Sequence, residues 1–322
     1  MIKRIFQCDS IPLSILSVVL TLGIFIGAGL FGTMETCTSN SFAVRFPSLA
    51  SGALKYILIG MLLISIPIGY RRSVGRTGIL DINERVSLYP IALVLLTVLP
   101  SCNNLLFLTA SGLILLLFSR IVRIKEGESA SPAAFGGGVI IALCAWISPY
   151  FLFLTLFLWL ALSTLNNLSW RVIIWSLLGL ISPMYFYYTL SYILSGTIPA
   201  FDMSGLLAAD PINALSGLRI WWILYLVVFI ALFVLLVLRS IRAAGKGIVI
   251  RRKLIRLGII LLIIMGGISA LIFQFEGASP FMSLMAIPMA IIFQEMYRSG
   301  KGMVYSISFL LWLVLTVIIS WA

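Results

Sequence analysis

The fold turns on one stretch, Ala133-Ala134-Phe135-Gly136-Gly137-Gly138-Val139-Ile140-Ile141-Ala142-Leu143-Cys144-Ala145-Trp146-Ile147-Ser148-Pro149. Three glycines ahead of an apolar run admit two readings. One is a phosphate loop at the start of a helix in a soluble α/β protein. That loop needs Gly-Lys-Ser/Thr behind its glycines, so that an ammonium and a hydroxyl reach the phosphates and their metal. Here the glycines lead into Val139-Ile140-Ile141 and no lysine follows. The other reading is an apolar helix whose bare backbone lets a neighbouring helix approach closely. It makes 134–147 a helix. Ser148-Pro149 is then a tight turn, and 150–165 is the returning arm of an antiparallel hairpin.

Working outward, the same apolar texture fills the chain. Of 322 residues, 61% are hydrophobic and 10% are charged, against about 25% charged in a soluble domain. That excludes a soluble globular enzyme, a disordered chain and a disulfide scaffold. A membrane span takes about 20 apolar residues. Eleven segments qualify as candidates: 11–31, 54–70, 88–99, 105–119, 134–147, 150–165, 172–194, 220–238, 257–273, 281–296 and 303–322. The expected fold is all-α, a polytopic transmembrane helix bundle of 9–11 spans forming one integral-membrane domain over 1–322. The pairs 88–119 and 134–165 contain short arms. Each can dip into a bilayer without crossing it, provided that protein buries its tip. The first span exceeds the usual apolar core of a signal peptide and lacks a small-x-small cleavage site, so it reads as a retained anchor.

Charge sets the orientation. The chain carries 22 Lys and Arg against 10 Asp and Glu, a net +12. With the N-terminus inside, every basic residue except Arg45, Lys55 and Arg219 lies in a cytoplasmic segment. The positive-inside bias selects that arrangement and puts the C-terminus on the periplasmic side. Among the acids, Glu35, Asp202, Asp210 and Glu276 fall outside, so the whole positive excess lies on the inner face. The basic run 239–256 holds seven Lys and Arg and no acid. It reads either as a plain topology signal or as a dock for anionic lipid or a protein partner. Nucleic acid is not expected, because the loops are short and no recognition module is present.

The chemistry available is limited. There is no histidine, which removes the commonest metal ligand and general base. The four cysteines form no C-x-x-C pair, so no zinc site is expected, and the identity of any cofactor is unknown from the residues. Cys37 and Cys102 both fall near the outer face, as two unpaired thiols or as one disulfide. The middle of the membrane is nearly free of ionisable groups, which argues against an ion-coupled transporter. What remains is the outer face. Glu35, Asp202 and Asp210 supply carboxylates, and Arg45, Lys55 and Arg219 supply cations for a phosphate or lipid headgroup. Tyr187, Tyr188, Trp221 and Trp222 supply rings at the interface. Carboxylates beside rings suit a sugar carried on a lipid. An ordinary aromatic belt with solvated loop charges has the same composition.

The block from Leu113-Ile114-Leu115-Leu116-Leu117-Phe118-Ser119-Arg120-Ile121 through Gly136-Gly137-Gly138, Ile147-Ser148-Pro149-Tyr150-Phe151 and Ser169-Trp170-Arg171 to Leu178-Gly179-Leu180-Ile181-Ser182-Pro183 resembles an uncharacterised family of bacterial multi-pass inner-membrane proteins. The resemblance covers about half of the chain and implies the bacterial inner membrane as location. More distantly, the plan resembles the C-type membrane glycosyltransferases, which use polyprenyl-phosphate sugar donors and carry an acid in the first outer loop. Glu35 is the only acid in that place here, and the paired acidic motif of that group is absent. The expected function is therefore a glycosyltransferase-like cell-envelope protein handling a lipid-linked saccharide at the outer leaflet. Glu35 would be base or metal ligand, and Asp202 or Asp210 a second anchor. The rivals are a non-enzymatic membrane scaffold or accessory subunit, and a transporter of lipid or small molecules.

Overall fold

The structure, a computed structural model, describes residues 61, 65, 66, 105–124, 129–195, 227, 230, 231, 234, 238, 249–276 and 288. Among these there are five α-helices and no strand: α1 (Leu105–Val122), α2 (Ser131–Ala145), α3 (Leu154–Thr164), α4 (Trp170–Ser195) and α5 (Val249–Glu276). A 3₁₀ turn, Pro149–Phe153, leads into α3. The expected spans 11–31, 88–99 and 303–322 lie outside the described residues.

Each boundary has a local cause. Arg120 occupies the last turn of α1, where a cation meets the negative end of the helix dipole. Pro132 sits in the first turn of α2, where its missing N–H costs nothing. At the far end of α2 the chain tightens. The Trp146 N–H donates to the Ala142 carbonyl at 3.1 Å, and the Ile147 and Ser148 N–H groups both donate to the Cys144 carbonyl, at 2.9 and 3.2 Å. Ser148 is extended (φ −153°, ψ 132°), as the residue before a proline prefers. The tip of the hairpin is covered: Ile147, Ser148, Tyr150 and Phe151 are all buried. The condition for a hairpin that turns inside protein is thus met, with these backbone donors satisfied.

The return from α3 to α4 is a Schellman turn. The Asn167 N–H reaches back to the Leu162 carbonyl at 3.0 Å, and the Asn166 N–H reaches the Ser163 carbonyl at 3.0 Å. Asn166 carries the left-handed conformation this requires (φ 56°). Asparagine tolerates it better than other side chains.

The arms pack around α2. Successive residues on a helix point about 100° apart, and the three glycines use that rotation to meet three neighbours. A side chain at Gly136 would strike the guanidinium of Arg120 on α1. One at Gly137 would meet Leu117 of α1 at 3.2 Å and Leu158 of α3 at 3.1 Å. One at Gly138 would run into the backbone of α4 at Ser176, Gly179 and Leu180. α2 is therefore a central rod, with α1 and α4 on opposite flanks and α3 between. The helix α5 packs along α3 and the 3₁₀ turn, burying Ile255, Leu257, Leu261, Leu262, Met265 and Ile268.

α5 also changes one sequence boundary. It begins at Val249, so the second half of the basic run 239–256 is helix rather than loop. Arg and Lys are good helix formers, and apolar Ile255 and Leu257 alternate with exposed Arg256, which lets this end pack while its charge stays outside.

Among the described residues one helix is long and apolar enough to cross a membrane, over Trp170–Leu190 of α4. α2 has 15 residues and spans about 22 Å, short of the roughly 30 Å of a hydrocarbon core.

Candidate functional site: the α2–α4 seam and its two ends

The seam between α2 and α4 organises this part of the molecule, and its register comes from three pairs. The Phe135 and Trp175 rings meet edge to face with centroids 6.1 Å apart. Gly138 lies against Ser176 and Gly179. Trp146 meets Tyr187 at 5.4 Å. As one helix advances the other advances with it, so the two run parallel, joined by the descending α3. The closest approach is reciprocal. A Cβ on Gly138 would strike the Ser176 carbonyl oxygen, and one on Gly179 would strike the Phe135 carbonyl oxygen. In each case the glycine faces the carbonyl three residues before its counterpart. That geometry suits paired Cα–H···O contacts between helices. Large side chains at either position would hold the backbones apart.

A polar clasp holds α3 to the same stretch of α4. The Trp159 indole N–H on α3 donates to the Ser176 hydroxyl at 2.9 Å, and that hydroxyl donates to the Ile173 carbonyl at 2.7 Å. Ser176 is 1% exposed, so the clasp is shielded and its partners are fully used. It ties α3 to α4 at the residue whose carbonyl faces Gly138.

One end of the seam is basic. Arg120 lies beside Gly136 in the second turn of α2. Arg123 follows the end of α1, and Arg171 opens α4 one turn before Trp175. All three arginines are exposed, and no carboxylate stands among the described residues of this end. Trp170 beside them is 75% exposed.

The other end is aromatic. Tyr187 contacts Trp146 and also lies 5.7 Å from Tyr188, edge to face. Tyr185 and Phe186 pair at 6.0 Å and are exposed, as is Tyr192. The interface rings expected from sequence at Tyr187 and Tyr188 thus stand together at one end of α4, half-buried. The other expected site residues, Glu35, Arg45, Lys55, Asp202, Asp210, Arg219, Trp221 and Trp222, lie outside the described residues, as do Cys37 and Cys102. Among the described residues no group of His, Cys, Asp and Glu could hold a metal ion.

Two participants escape a reading of the sequence. Trp146 looks like one more apolar residue at a helix end. It becomes part of the aromatic group only because α2 and α4 run parallel. Ser176 looks like an incidental polar residue in a span, yet Trp159, seventeen positions earlier, selects it. A signal for the second existed: an indole N–H in an apolar helix needs an acceptor nearby.

In comparisons with known proteins, no family model, curated protein or solved structure matches the chain.

Proposed function

We propose that the chain is a multi-pass protein of the bacterial inner membrane, with about eleven helices, a cytoplasmic N-terminus and a periplasmic C-terminus. The observation that carries this reading is α4. Its flank toward α2 is lined by Val172, Ser176 and Gly179, while Ile174, Leu178, Ile181, Phe186, Leu190 and Ile193 are exposed. A soluble helix would not leave so much apolar surface to water, whereas lipid solvates it. Trp170 and Tyr188 stand about 27 Å apart along the axis of this helix, near the thickness of a hydrocarbon core with its aromatic belts. Arg120, Arg123 and Arg171 share the end that the charge bias assigns to the cytoplasm. Reporter fusions after residues 125 and 196 test the orientation. Cytoplasmic activity at the first and periplasmic activity at the second are expected, and the reverse would refute it.

At the periplasmic end the best-supported activity is the handling of a lipid-linked saccharide for envelope assembly. The Trp146–Tyr187–Tyr188 group offers ring faces where the headgroup of such a lipid would lie. Glu35 would serve as base or metal ligand, Asp202 and Asp210 as further polar anchors, and Arg45, Lys55 and Arg219 as phosphate contacts. Trp221 and Trp222 would add rings. The test is a deletion strain complemented with Glu35→Gln or with Tyr187→Ala/Tyr188→Ala. Lipid-linked saccharides should accumulate in its membranes. Wild-type lipid profiles in both strains would remove the catalytic reading. A scaffold role is the second reading, favoured by the exposed apolar ladder Val227, Ile230, Val234 and Leu238. It calls for a stoichiometric partner that copurifies and is lost when the basic run 239–256 is neutralised.

A further inference from the structure

The inner and outer halves of α4 are held to the molecule by different means. Val172, Ser176, Gly179, Pro183 and Tyr187 recur every three or four residues, so they lie along the one flank that faces α2. At Gly179 backbone meets backbone, and Trp159 pins Ser176 from α3. Pro183 comes next, inside the helix. It has no N–H for the Gly179 carbonyl, and its ring crowds that carbonyl. The ladder is therefore broken at one point, on the α2 side, and a bend there carries the outer half away from α2. Past the proline, α4 meets the end of α2 through rings, Tyr187 against Trp146 with centroids 5.4 Å apart. α2 stops at Ala145, level with this contact, while α4 runs on to Ser195, about 12 Å further. Leu190, Tyr192 and Ile193 on that extension are exposed. The Thr189 hydroxyl donates to the Tyr185 carbonyl at 2.8 Å, a back-bond of the kind that bends helices.

We infer that the outer half of α4 is an arm, hinged at Pro183 and latched by the Trp146–Tyr187 ring pair. In the latched state the arm continues the line of the seam, as the structure shows it. In the released state it leans away from α2 and uncovers the Trp146 ring beside the hairpin tip. The two kinds of contact suit their two tasks. Backbone against backbone at Gly138 and Gly179 leaves no room for adjustment, so it fixes the inner half as the base of the hinge. A ring pair is worth about 1 kcal/mol beyond the area it buries, small enough for both states to be populated. Tyr187 is the latch because it alone among the tyrosines of α4 lies on the α2 flank and touches Trp146. The inference needs only the helix, its proline and the ring pair, so it stands whatever ligand the outer end takes.

Distances between spin labels on the full-length protein in nanodiscs provide the test. The four native cysteines are first replaced, Cys144 by alanine and the others by serine. One label goes on α1 at Leu116→Cys, an exposed site on the far flank of α2. The other goes either on the arm at Ile193→Cys or on the inner half at Ile174→Cys, both exposed. The 116–174 pair should give one distance in every variant. The 116–193 pair should give two, latched and released. Tyr187→Ala should shift their ratio about fivefold toward release, the equivalent of about 1 kcal/mol for an aromatic pair. Tyr187→Phe keeps the ring and should keep the wild-type ratio. Pro183→Ala restores the backbone bond and should remove the released distance. If that variant does not accumulate, the contrast between Tyr187→Ala and Tyr187→Phe carries the test alone. A single unchanged 116–193 distance in Tyr187→Ala would overturn the inference. So would a second 116–174 distance, which would mean that the whole helix moves rather than its outer half.

Discussion

The two halves of α4 make the most instructive comparison in the molecule. Both are apolar, and they belong to one continuous helix. The first half is held at Val172, Ser176 and Gly179, with Trp159 donating into it from α3. The second half, beyond Pro183, carries larger residues and yet leaves most of them exposed, Ile193 at 71%. Bulk hydrophobicity therefore does not decide which segment packs. In a lipid-like surrounding, leucine against leucine gains little over leucine against an acyl chain. Close approach of small residues and a satisfied hydrogen bond are what distinguish the packed half. Pro183 marks the change, because it has no N–H to give the Gly179 carbonyl.

The sharpest way to break this contrast is at the glycine contact. Gly138→Ala or Gly179→Ala puts a methyl group against backbone atoms that cannot rotate away. A loss of about 3 kcal/mol, the upper range for an overpacked core, should appear as a lower midpoint in detergent melts of the purified chain. Melting like wild type would show that the seam does not hold the helices. Next comes the clasp. Trp159→Phe keeps the ring but removes its donor, and should cost about 1 kcal/mol. A double-mutant cycle with Ser176→Ala should recover most of that as coupling, and additive losses would speak against the bond.

Gly137→Ala is milder, because the methyl would meet only the flexible ends of Leu117 and Leu158 at 3.1–3.2 Å. About 1 kcal/mol is expected, the low end for added bulk, and a loss as large as that of Gly138→Ala would erase the distinction drawn between backbone and side-chain neighbours. The smallest effect should carry the opposite sign. Nothing lies within 4 Å of a side chain at Gly267, so Gly267→Ala should raise the midpoint by roughly 0.5–1 kcal/mol through helix propensity alone.

Much of the local architecture is legible in the residues themselves. Proline at Pro132 and Pro149, the apolar runs between them, and Ser148 as a turn residue define the hairpin directly, because each acts on its own backbone. The glycines Gly136-Gly137-Gly138 announce close packing but not the partners. Those depend on which helices flank α2, a relation between segments far apart in sequence. The parallel course of α2 and α4 is likewise invisible until α3 is seen to return between them. The start of α5 within the basic run was hidden for another reason: a rule that counts charges as loop overlooks helices whose charged side chains extend away from the packed face. Of the candidate site, only Tyr187 and Tyr188 can be compared. Their aromatic character was plain from composition, whereas their companion Trp146 came from tertiary geometry.

The shortness of α2 has a consequence for the order in which such a chain is made. A 15-residue helix interrupted by three glycines is a poor membrane segment alone, because it offers little apolar area and a partly bare backbone. Its best partner, Gly179, emerges about forty residues later, a delay on the order of seconds at usual rates of synthesis. Under the proposed membrane setting, α2 would depend during that interval on α1 and α3 or on the insertion machinery for shelter. The arrival of α4 is then the event that commits it to its final place, so a truncation before residue 170 should leave a hairpin open to protease even though every residue of it is present.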